Sequence, residues 1–129
     1  MKNKKGFTLI ELLLVIAIIG VLALMGLRFY LTQQDKAKNA IVKANVGTVQ
    51  TLIQAELADT DVTLEGAVDI VKIAGLHNPF NGVAMNLEGW FPESADAPGE
   101  IQITLLDGVF SIQGYGADGL LPDILTARR

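Results

Sequence analysis

The chain of 129 residues contains no cysteine. That excludes a disulfide, a thiolate metal site and thiol catalysis. Histidine is nearly as scarce: His77 stands alone beside Asn78-Pro79 and reads as ordinary loop surface. No Ser/His/Asp set, no paired carboxylates and no phosphate-cradling glycine loop accompany it, so nothing points to an enzyme or a bound cofactor. Five Phe, two Tyr and one Trp are too few for extended aromatic stacking and read as core and interface residues. Basic residues run out along the chain. From Asp59 onward, eleven acidic residues face only Lys72, Arg128 and Arg129, a net charge of −8. Duplex binding rests on cationic contacts to phosphates, so a direct nucleic-acid role is not expected. Two further absences are positional: no proline occurs from Phe7 to Ala58, and no charged residue from Leu12 to Leu27.

Those last absences frame what is present. Lys2, Lys4 and Lys5 lead into Gly6-Phe7-Thr8-Leu9-Ile10-Glu11-Leu12-Leu13, and the apolar run continues to Leu27. Counted from Phe7, the segment is twenty-one residues, close to the ~20 an α-helix needs to cross a hydrocarbon core. Secretory signals have apolar cores of only ~7–15 residues, followed by a small-residue cleavage site. Here the small residue, Gly6, precedes the run, so a cut after it removes the basic leader and leaves the helix in place. The three lysines keep the amino terminus cytoplasmic by the positive-inside rule. Glu11 is the expensive residue: a carboxylate at a membrane helix centre costs ~3 kcal/mol, and less near an end. One turn into the helix, it also meets the positive end of the helix dipole, which explains tolerance but assigns no task.

Gly6-Phe7-Thr8-Leu9-Ile10-Glu11-Leu12, then Ala17-Ile18-Ile19-Gly20-Val21-Leu22-Ala23, and Tyr30 further on closely resemble the class III signal of type IV pilins and pseudopilins. The resemblance implies cleavage after Gly6 by a prepilin peptidase and N-methylation of Phe7. It also implies that Glu11 neutralises the amino group of Phe7 in an adjacent subunit during filament assembly. A plain membrane anchor calls for no carboxylate at that place. Ala17, Gly20, Ala23 and Gly26, spaced by three, offer a ridge for close helix packing, although glycine is common in membrane helices in any case. The family usually carries a proline where this chain has Arg28. Any local unwinding would therefore have to rely on Gly20 and Gly26.

Beyond Arg28 the pattern becomes one-sided. Val42, Val46, Val49, Ile53 and Leu57 fall on one helix face, widened by Ile41 and Leu52, with Lys36, Lys38, Asn39, Lys43 and Gln50 on a polar side. One continuous helix from Phe7 to Ala58 is expected, about 75 Å long at ~1.5 Å per residue. A short second helix over Leu64–Ala74, closed by Gly75, follows. Asn78-Pro79-Phe80-Asn81-Gly82 is a turn cluster. Strands are expected at Val83–Leu87, at Ile101–Leu105 and at Val109–Gln113, the last two joined by the type I′ signal Asp107-Gly108. A lone hairpin is barely stable, so its apolar face must be covered by the Val42–Leu57 stripe. The closing run Gly114-Tyr115-Gly116-Ala117-Asp118-Gly119 also resembles the ends of small pilin heads.

The fold expected is therefore α+β and pilin-like: a leader (1–6), a transmembrane and filament-core helix (7–27), an amphipathic spine (28–58) and a small head (59–129) with a hairpin at about 101–113. The spine carries four basic residues against Asp35 and Glu56. Attraction between it and an acidic head of a staggered subunit would make assembly salt-sensitive; a merely soluble acidic surface is the equal alternative. Asp118 and Asp123 are weak candidates for Ca²⁺, without the ligand density of an EF-hand, and a simple turn explains them better. The resemblance implies a structural subunit, a major pilin, anchored in the cytoplasmic membrane as a precursor and then part of a cell-surface pilus. Its expected partners are copies of itself, the prepilin peptidase and the inner-membrane assembly platform. A type II secretion pseudopilin and a minor pilin with an adhesin role are the alternatives.

Overall fold

The computed structural model describes residues 6–129. They form α1 (Leu9–Asp59), α2 (Leu64–Lys72), a 3₁₀ turn (Glu88–Trp90) and the strands β1 (Ile101–Leu106), β2 (Val109–Tyr115) and β3 (Leu120–Arg128). The strands make one antiparallel sheet in the order β1-β2-β3. The chain divides into two compact units between Gln34 and Asp35. The first holds the apolar part of α1, and α1 runs past Arg28 without a break. The second holds the rest of α1, α2 and the sheet.

The second unit is built as the periodicity demands. Val42, Val46, Val49, Ile53 and Leu57 are all buried, while the intervening positions reach the surface. They pack on Ile101 and Ile103 of β1, Phe110 and Ile112 of β2, Leu121 and Ala127 of β3, and Ala67 and Val71 of α2. Alternate residues of a strand share one face, which is why 101/103 and 110/112 are buried together. Each fully buried Ile, Val or Phe contributes about 1.5–3 kcal/mol. This one cluster is therefore the main source of stability in a cysteine-free domain.

The hairpin forms as its turn signal requires. Asp107 (φ 51°) and Gly108 (φ 77°) both lie in the left-handed region, as a type I′ turn needs, with Leu106 paired to Val109. A second glycine answers to packing. Gly114 of β2 lies against α1, where a methyl group would run into Val42 and crowd Val46. The register with β3 slips beside it, between Gln113 and Tyr115.

Three expectations are corrected. Val83–Leu87 is not a strand: only an isolated bridge, His77 to Ala84, forms there. The third strand is β3, at the carboxyl-terminal side, and the closing glycine run is partly β2 and partly the turn before β3. Pro122 masked that strand in the sequence, yet proline is tolerated because β3 is a sheet edge. α2 stops at Lys72 and not at Ala74, its start capped by Thr63, whose Oγ1 accepts from the Gly66 N–H at 3.1 Å. In the last turn of α2, the Asp69 carboxylate, seconded by Glu88, holds the Lys72 ammonium protonated above the usual lysine range, against a smaller opposing effect of desolvation.

The polar side of the spine is also not simply solvated. Gln50 Nε2 donates to the Thr126 carbonyl at 2.9 Å. The Gln54 amide exchanges two bonds with the Arg128 backbone, at 2.8 and 3.2 Å. Asn39 Oδ1 accepts from the Ala117 N–H at 2.9 Å, and the Lys38 ammonium sits 5.6 Å over the Phe80 ring. The two glutamines close the free edge of β3, and Asn39 fastens the loop before it. Asn78, the buried polar residue of the head, fixes the turn cluster: its Nδ2 donates to Pro98 O (2.9 Å) and its Oδ1 accepts from Phe80 N (2.8 Å).

Candidate functional site

The candidate site is the start of α1 and the apolar surface behind it. Thr8 opens the helix as its N-cap: its Oγ1 accepts from the Glu11 N–H at 3.2 Å, and its carbonyl accepts from Leu12 N at 3.1 Å. Thr8-x-x-Glu11 is the spacing of a capping box, so this function of Thr8 was open to sequence reasoning, which passed over it. Only the threonine half of the box is made, and the Glu11 carboxylate stays exposed at the first turn. Among the described residues, no basic group pairs with it. Phe7 lies just before the cap with 84% of its surface exposed.

From Leu9 to Leu31 the apolar side chains of α1 are exposed on every side. None of this run is buried, and it is long and apolar enough to cross a membrane. Soluble monomers rarely leave contiguous apolar patches beyond a few hundred Å² uncovered. Ala17, Gly20, Ala23 and Gly26 lie within this surface, and nothing stands within 4 Å of a Cβ placed at Gly20 or Gly26. The structure thus places Glu11 and the small residues on one helix, with Phe7 just before its cap, and brings none of them against another described element. Gly6 is exposed immediately before it.

The remaining candidates lie in the second unit. The Asp123 carboxylate pairs with Lys43 Nζ at 3.1 Å, and Asp118 is exposed in the turn before β3. Among the described residues no group of three or more His, Cys, Asp or Glu gathers as metal ligands would. His77 is exposed, with its Nδ1 3.1 Å from the Gly75 carbonyl.

A capped, exposed, membrane-length helix with an acidic first turn, continued into an α+β head with a three-stranded antiparallel sheet, is the architecture of type IV pilin-like proteins. The comparisons agree. The prokaryotic N-terminal methylation motif matches residues 1–27. Fimbrial protein EcpB of Eikenella corrodens is 45% identical over 58 residues, covering 45% of this chain and 36% of that protein. The type IV wide pilus major component PilA4 of Thermus thermophilus is 50% identical over 44 residues, 34% of each chain. A probable minor fimbrial protein of Dichelobacter nodosus is 35% identical over 89 residues, 68% of this chain and 56% of that protein. The aligned segment spans only about a third of the first of these relatives. The likeness to type IV pilins and fimbrial proteins therefore lies chiefly in the amino-terminal region of the chain. No solved structure matches it significantly.

Proposed function

We infer that the chain is a structural subunit, a major pilin, of a type IV pilus. Cleavage after Gly6 by a prepilin peptidase frees Phe7, whose amino group is then methylated. The precursor waits in the cytoplasmic membrane with its amino terminus inside, and an assembly platform in that membrane passes the helix into the growing filament. The observation that carries this reading is the all-round exposure of the apolar surface from Leu9 to Leu31, most of it within the methylation motif at residues 1–27. A membrane covers that surface first and the helices of neighbouring subunits afterwards, with Ala17, Gly20, Ala23 and Gly26 as the ridge of close approach. Glu11 pairs with the Phe7 amino group of an adjacent subunit. Pairing inside an apolar bundle makes each charge depend on the other, and loss of one partner costs about 3–5 kcal/mol.

Mass spectrometry of filaments sheared from the producing cells tests the reading. A dominant species beginning at N-methylated Phe7 supports a major pilin. Processed protein that stays wholly with the membrane supports a type II secretion pseudopilin instead. A minor pilin is the second reading, favoured by the Dichelobacter nodosus relative aligned over 68% of this chain, and it predicts trace amounts in the filaments.

A further inference from the structure

The second unit carries a knob and a cleft at opposite ends. The knob is the hairpin tip: Leu106 is 74% exposed, and exposed Asp107 follows it in a turn held by two left-handed residues. The cleft, of about 450 Å³, lies between α1 and β3 where the strand register slips. Its apolar wall is Val46, Leu121 and Leu125, and Lys43 stands at its mouth beside Asp123. Lys43 and Asp123 are 50% and 65% exposed, so their ion pair exchanges partners at little cost.

Hydrogen bonds fix where the two features lie along the helix. Val109, next to the turn, pairs with Arg128, and Arg128 is bonded to Gln54. The cleft is tied to α1 at Lys43. Eleven residues at ~1.5 Å each separate these levels by about 16 Å along the axis. The knob joins an aliphatic side chain to a carboxylate, and the cleft joins an aliphatic wall to an ammonium. They match in chemistry, yet the same chain cannot bring them together.

We propose that the hairpin tip of one subunit docks in the α1–β3 cleft of a second copy, with Leu106 on the apolar wall and Asp107 taking Lys43 from Asp123. The contact is heterologous, head to tail, and such contacts propagate into open filaments when the rotation between copies does not close into a ring. The rigid turn has little conformational freedom to lose on docking. This rests on the filament reading above, and the parent chain's ability to form sheared filaments tests that reading separately.

The absence of native cysteine allows a direct test in filaments of the full chain. Leu106→Cys and Ile124→Cys, both at exposed positions and combined in one chain, should give a disulfide ladder of trimers and longer species on mild oxidation. Either single variant should stop at dimers. Filaments of the double variant that give no ladder, or a ladder ending at dimers, overturn the proposal. As an independent arm, Asp107→Lys should lower filament yield at least tenfold, and adding Lys43→Asp should restore it. An unchanged yield with Asp107→Lys, or no recovery in the pair, overturns it as well.

Discussion

Thr8 and Glu11 sit three residues apart at the head of α1 and carry different loads. Thr8 caps, so Thr8→Ala should weaken the helix start by about 1 kcal/mol, read as faster amide exchange in the first turn in detergent micelles. Glu11 has no partner among the described residues, so Glu11→Ala should leave the fold of the monomer intact and abolish filaments. A Glu11→Ala chain that assembles at the parent's rate and amount would disprove the intersubunit pair. Gly114 is a purely steric case. Ala there meets Val42 and Val46 on a helix that cannot retreat without opening the core, so Gly114→Ala should cost about 1–3 kcal/mol, measured as a lower urea midpoint. Ile53, fully buried, marks the opposite error: Ile53→Ala leaves a cavity and should cost about 2–5 kcal/mol in the same titration.

At the scale of elements, β3 is an edge strand, and edges invite pairing with other chains. Pro122 removes one donor from it, while Gln50 and Gln54 reach from α1 to its last residues. Gln54→Ala should expose the Arg128 amide. Its hydrogen exchange should approach that of a free terminus, while the amides of β2 keep their protection. Equal protection in parent and variant would show that the glutamine does not close the edge. The same strand marks the boundary of what was legible from sequence. The long helix, the 42/46/49/53/57 stripe and the Asp-Gly hairpin are periodic or local signals, and the structure has all three. β3 is neither: Pro122 and Asp123 interrupt its alternation, and pairing with β2 and the helix glutamines holds it in place. Val83–Leu87 failed for the complementary reason, since five mostly apolar residues found only one bridging partner, His77. Of the candidate site, Gly6, Phe7, Glu11 and the small residues could be proposed from sequence because motif and spacing lie in one continuous segment. The knob and cleft were not, because residues 43, 106 and 121–125 meet only through tertiary geometry.

On the scale of the whole molecule, the two units have opposite relations to water. Every residue of the core cluster lies at or beyond Val42, whereas the described residues before Gln34 are all exposed. A chain beginning at Asp35 therefore retains the entire core and loses only the apolar surface that needs a membrane or neighbouring helices. It should be soluble without detergent, unfold in one cooperative transition, and sediment as a monomer. A single hairpin-tip contact buries too little surface to hold two copies together in dilute solution, given the ~1,200–2,000 Å² of stable complexes. The full chain should associate under the same conditions. Sheet dichroism together with sedimentation decides the matter. If the shortened chain is unfolded, the head draws stability from the first unit, and the core cluster is not sufficient for the fold. A folded monomer instead makes the head and the apolar helix separable in energy, so that substitutions such as Gly114→Ala act on stability and Glu11→Ala acts on the proposed assembly alone.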